Sequence, residues 1–152
     1  MTGLLADIRP DSWNFPLLVH VLGATLLVGA VTAAVGTLLL TPGGGGDPAG
    51  LRRFAFRVLL FLGLPAYILM RGGAAWIYDK ENLDKAPEDP AWIGIGFITA
   101  EAGAVVFLVA LVCAWLAVRN SSERLGKIAG ILGAVLLVAW VIAIWAMGAK
   151  PD

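Results

Sequence analysis

Three ionisable side chains of this chain stand inside long apolar stretches: His20, Arg71 and Glu101. Each type brings a defined chemistry to a nonpolar setting. An imidazole nitrogen can ligate haem or a metal, a guanidinium can hold an anion, and a carboxylate can take up and release a proton. Their neighbours repeat at helical spacing. Tyr67, Arg71, Ala74 and Tyr78 fall at intervals of 4, 3 and 4 residues, and Gly94, Phe97, Glu101 and Ala104 at intervals of 3, 4 and 3. Residues so spaced share one face of a helix. The expected polar cluster is therefore His20, Arg71 and Glu101, with Tyr67 and Tyr78 beside them.

The elements that must carry this cluster are apolar throughout. The chain has 152 residues, of which 59% are hydrophobic and 14% charged, well below the roughly 25% charge of soluble domains. Mean hydropathy is +0.85. Four runs are long and apolar enough to cross about 30 Å of hydrocarbon: residues 13–40, 54–78, 91–118 and 125–147. No period-two alternation suggests a β-barrel, and backbone in lipid must bond internally, so these runs are expected to be helices. The expected fold is all-α, a four-helix transmembrane bundle running up-down-up-down as a single transmembrane domain. The first run is too long for a cleaved signal peptide, and Asp7 and Asp11 stand before it.

Local punctuation supports these boundaries. Thr41-Pro42 and the glycines 43–46 cannot continue the first helix. Asp89-Pro90 reads as an N-cap with proline in the first turn. Asn120 and Glu123 have the spacing of a capping box for the fourth helix. Pro16 lies near a helix start, where its missing N–H costs little. Pro65, in mid-span, is expected to kink the second helix and free the Phe61 carbonyl.

Alternating direction brings the three charged residues to one depth. At 1.5 Å per residue, His20, Arg71 and Glu101 all fall roughly 10–15 Å below the same ends of their helices. A charge at such depth costs about 2.5–3.5 kcal/mol on insertion scales, and pairing is the cheapest remedy. Arg71 is therefore expected to pair with Glu101, and His20 to donate to a carbonyl or to Glu101. Arg52, Arg53, Arg57, Arg119, Arg124 and Lys127 cluster at the opposite ends, against Arg9, Lys80, Lys85 and Lys150 on the cluster's side. By the positive-inside rule both termini are expected outside. Trp13, Trp76, Trp92 and Trp145 near the outer ends, and Trp115 near the inner end of the third run, fit an aromatic belt.

Other features point to structure or to partners. Thr25, Gly29, Thr32 and Gly36 form a small-residue seam, expected to pack inside the bundle, with a homodimer contact as the alternative. Arg53 and Arg57 share a face at the inner interface, where they would anchor topology or meet anionic lipid. The acidic loop of Asp79, Glu81, Asp84, Glu88 and Asp89 reads as solvated. Cys113, the single cysteine, reads as a small hydrophobe and excludes an internal disulfide. With zero net charge nothing points to nucleic acid. No Ser/His/Asp grouping is evident, and the glycine run lacks the Lys-Ser/Thr of a phosphate loop.

The segment Leu17-Leu18-Val19-His20-Val21-Leu22-Gly23, followed by Val28-Gly29, resembles the first helix of small bacterial membrane proteins related to the CopD copper-resistance membrane domain. At greater distance it is similar to the four-helix HemJ-type protoporphyrinogen oxidases. In such families the first-helix histidine is associated with copper handling or haem, so the resemblance implies haem or copper at His20. This chain departs from them in having one histidine, which leaves Met70 and Met147 as further ligands. Met70 is expected to point off the Tyr67/Arg71 stripe. Three functions follow as expectations: a non-enzymatic accessory or assembly component associating with other membrane subunits in the lipid bilayer; a haem- or copper-associated protein using His20; and a small cation- or proton-coupled transporter using Glu101. Arg71 competes with the last by pairing with the carboxylate.

Overall fold

A computed structural model describes residues 14–40, 47–80 and 91–149. Four helices make up the described chain: α1 (Asn14–Leu39), α2 (Pro48–Lys80), α3 (Ala91–Arg119) and α4 (Glu123–Ala149). Each is long and apolar enough to cross a bilayer. The glycine run, the second loop with Asp89-Pro90, and Trp13 lie outside the described residues.

Helix α2 begins six residues before the apolar run, at an Asp-Pro pair of the kind noted at Asp89-Pro90. Asp47 caps it, accepting from the backbone N–H of Ala49 and Gly50 at 2.9 Å each, and Pro48 fills the first turn. Pro65 acts differently from a simple kink. Residues Leu59–Gly63 form a π-turn, in which the Leu64 N–H bonds back to the Leu59 carbonyl. The ladder slips by one residue just before the proline that cannot donate to it. Gly63 lies in this turn under the Phe107 ring, with Phe107 Cζ only 3.1 Å from where a Cβ would stand.

Helix α4 is capped by Ser122, not by an Asn120–Glu123 box. The Leu125 N–H donates to Ser122 Oγ at 3.3 Å, and Ser121 turns the chain with φ of 52°. Glu123 instead pairs with Lys127 one turn on, at 2.7 Å. Only three residues separate the helices, and with Ser121 in the left-handed turn it is Ser122, not Asn120, that stands at the start of α4.

The helices alternate in direction. Early α1 meets late α2, and late α1 meets early α4, where Gly130 and Gly133 lie against Leu39 and Val35. Helix α3 packs along α4. The core gathers Leu27, Val31 and Ala34 of α1, Ala55 and Leu59 of α2, Phe107 and Ala114 of α3, and Leu136 and Trp140 of α4.

The Thr25/Gly29/Thr32/Gly36 seam does not pack inside this bundle. Thr25, Gly29 and Thr32 are exposed, and a Cβ on Gly29 or Gly36 would meet nothing. The buried face of α1 has the same period displaced by two residues, through Gly23, Leu27, Ala30 and Ala34. Trp76, Trp115 and Trp145 are exposed near their helix ends. Trp115 lies beneath the Arg119 guanidinium, 5.5 Å from the ring centre.

Candidate functional site

The site is set by which helices touch in the half of the bundle that holds the start of α1 and the end of α2, called the outer half from here on with no membrane side implied. There α2 lies against α1, while α3 meets α2 mainly along its inner segment, Pro48–Val58. The outer parts of α2 and α3 therefore stand apart and are bridged by side chains. Arg71 donates from Nε and Nη2 to Glu101 Oε1, at 3.0 and 2.6 Å. The Tyr67 hydroxyl donates to the Ala100 carbonyl at 2.6 Å, its ring stacked on Phe107 with centroids 6.0 Å apart. Phe97 sits 5.3 Å from the Arg71 guanidinium carbon and takes the Tyr78 ring edge-on at 5.3 Å. The four-residue stripe on α2 thus faces α3, as its spacing requires.

His20 belongs to a second joint. Its Nδ1 lies 2.8 Å from the Met70 carbonyl oxygen, across the closest approach of α1 to α2. That approach is reciprocal. A Cβ on Gly23 would stand 2.8 Å from Met70 Cα, and one on Gly73 would stand 2.5 Å from the His20 amide nitrogen. Two glycines let the backbones come together, and the imidazole reaches the carbonyl because they do. His20 accordingly bonds a carbonyl rather than Glu101.

Between these joints lies a cleft of about 320 Å³. His20 and Leu17 contribute from α1, and Met70, Arg71, Ile77 and Tyr78 from α2. Trp92, Gly96 and Phe97 of α3 and Met147 of α4 complete it. Met147 reaches in over Gly96, with Cε 2.7 Å from where a Cβ would stand. Met70 borders the cleft beside Arg71, yet its backbone meets His20 and Gly23 of α1, off the stripe by which Tyr67 and Arg71 face α3. Glu101 lies outside the lining: its side chain is 62% exposed, against 31% for Arg71.

All five residues of the expected cluster therefore fall in the outer half, but in two groups. Tyr67, Arg71, Tyr78 and Glu101 bridge α2 and α3; His20 is held on α1 through the Met70 backbone. Gly94 meets nothing, so close approach does not occur on that face of α3. Of the glycines that matter, Gly23 stood in the segment around His20, whereas Gly73 and Gly96 were not singled out from the sequence. Trp92 joins the lining where its position suggested only a belt. Among the described residues no three His, Cys, Asp or Glu side chains converge as a metal set, and Cys113 is half-buried and free.

The architecture and cleft fit a multi-pass membrane protein with an all-α four-helix bundle. Compared with protein-family models, curated proteins and solved structures, the chain matches none.

Proposed function

We propose that this protein is a non-enzymatic integral membrane component that supports or assembles a larger membrane complex, with both termini on the non-cytoplasmic side. Glu101 carries the reading. Its carboxylate is bonded to Arg71, yet the side chain remains 62% exposed on the outside of the bundle. At that depth a lone chain would turn charge toward acyl chains, at about 2.5–3.5 kcal/mol on insertion scales. A helix from another subunit offering a hydrogen-bond donor would remove that cost. The outward-facing Thr25, Gly29, Thr32 and Gly36 would let a helix approach α1 closely, and a second copy of this chain is the simplest candidate there.

A photo-crosslinking residue at Val105, one turn from Glu101 and 63% exposed, tests the reading in native membranes. Protein–protein adducts and migration above monomer size are expected. Adducts to lipid alone, from a monomer, would refute it. Cysteines placed near either terminus should react with an impermeant reagent from the outside of intact cells.

A second reading, haem or copper at His20, is favoured by one observation. His20 bonds a backbone carbonyl through one nitrogen, as metal-bound histidines commonly do, and Met70 and Met147 line the same cleft. Protein expressed with both supplied should then show a Soret band or bound copper, lost in His20→Ala.

A further inference from the structure

One nitrogen of His20 is committed and the other is not. The partner of Nδ1 is a carbonyl oxygen, 2.8 Å away. A carbonyl only accepts, so Nδ1 carries the proton. In the neutral ring Nε2 then presents a bare lone pair. No described residue donates to it.

The surroundings narrow what could. His20 forms part of the cleft wall on α1, and Arg71 and Tyr78 form part of it on α2. Arg71 uses Nε and Nη2 on Glu101, leaving Nη1 with no bond to a described residue. The rest of the wall is apolar or aromatic, with Leu17, Ile77, Ile93 and Phe97. One cleft wall thus carries an acceptor and donors among apolar and aromatic side chains.

The geometry points to a binding site for a lipid-soluble alcohol or phenol. Its hydroxyl donates to His20 Nε2 and accepts from Arg71 or Tyr78, and its apolar body lies along the cleft. A hydroxyl does both with one oxygen. A ketone, ester or quinone carbonyl can accept from Arg71 but sets a second lone pair against Nε2. A carboxylate does the same and adds charge near Glu101. An ammonium group can donate to Nε2 but is repelled by Arg71. The volume of about 320 Å³ lies in the range of small-molecule pockets, enough for the head and the first part of a body whose remainder extends between the splayed helices. This inference goes beyond the accessory-component reading and does not depend on it.

The test uses the full-length protein in lipid nanodiscs and three probes: 4-dodecylphenol, 4-dodecylanisole and dodecanoic acid. The first two share a body and differ in the hydroxyl proton. The phenol is expected to bind saturably, at least about tenfold more tightly than the anisole, and to move the ¹⁵N signal of His20 Nε2, which the anisole leaves in place. In His20→Phe the preference is expected to vanish while apolar binding persists. Should that variant fail to fold, the Nε2 signal of the unaltered protein still decides. Equal affinity for phenol and anisole, tighter binding of the acid, an unmoved Nε2 signal, or no saturable binding of the phenol would each overturn the assignment.

Discussion

Gly73 lies directly beneath the backbone of His20, and Gly23 beneath that of Met70, so each helix supplies the gap that the other fills. A methyl group on Gly73 would stand 2.5 Å from the His20 amide nitrogen, which rigid backbone cannot yield. Gly73→Ala should force α1 and α2 apart, lengthen the bond from His20 to Met70 and cost about 1–3 kcal/mol. Gly29→Ala and Gly36→Ala meet nothing and should leave monomer stability within about 0.5 kcal/mol. Thermal unfolding of the three variants in one detergent checks the contrast. Equal effects would mean that the close approach has been assigned to the wrong face of α1.

The bond from Arg71 to Glu101 makes a second prediction. Glu101→Gln leaves a guanidinium without its counter-charge, and Arg71→Met leaves a carboxylate. Each single variant should be destabilised, and the double variant should recover part of the loss, with a coupling of about 1–2 kcal/mol. Exposed pairs in water are worth less, about 0.2–1 kcal/mol. A coupling in the lower range in detergent that rises in nanodiscs would show that lipid gives the pair its strength. Strict additivity in both media would show that the two residues act apart.

How much of this could be seen in the residue order follows from what sets each feature. The pairing of Arg71 with Glu101 was legible because it needs only depth and alternation, and both follow from segment length. The stripe from Tyr67 to Tyr78 was legible because it lies wholly beyond Pro65 and keeps one helical phase. The π-turn was not, because proline announces a missing donor without saying whether the helix bends or slips a residue. Which side of α1 packs was also hidden. Gly23/Leu27/Ala30/Ala34 and Thr25/Gly29/Thr32/Gly36 share one period, and in a segment apolar all round no amphipathic contrast separates the faces. The cleft depends on α2 standing away from α3 in the outer half, a property of four helices together.

Tyr67 ties the outer half of α2 to α3 by a route separate from the ion pair. Its hydroxyl meets the Ala100 carbonyl at 2.6 Å while its ring stacks on Phe107. Tyr67→Phe removes the bond and keeps the stack, and should cost about 0.5–1.5 kcal/mol. Loss of the tie should also loosen the cleft, so amide exchange at the outer end of α3 is expected to quicken while that of the inner core around Leu136 stays slow. Uniform acceleration along α3 would mean that the tyrosine supports the whole fold and not the outer half alone.

The start of α4 is capped by Ser122, where the residue spacing pointed to Asn120. Ser122 Oγ accepts from the Leu125 N–H, and the Ser122 carbonyl accepts from Gly126. Asn120 precedes the left-handed Ser121 and makes no cap. Ser122→Ala should therefore cost about 1 kcal/mol, and Asn120→Ala should be near neutral. Ser121→Gly provides a further check, because φ of 52° is costly for a residue with a side chain and free for glycine; it should leave stability unchanged or raise it slightly. The reverse ranking, with Asn120→Ala damaging and Ser122→Ala silent, would place the helix start two residues earlier and restore the Asn120–Glu123 box.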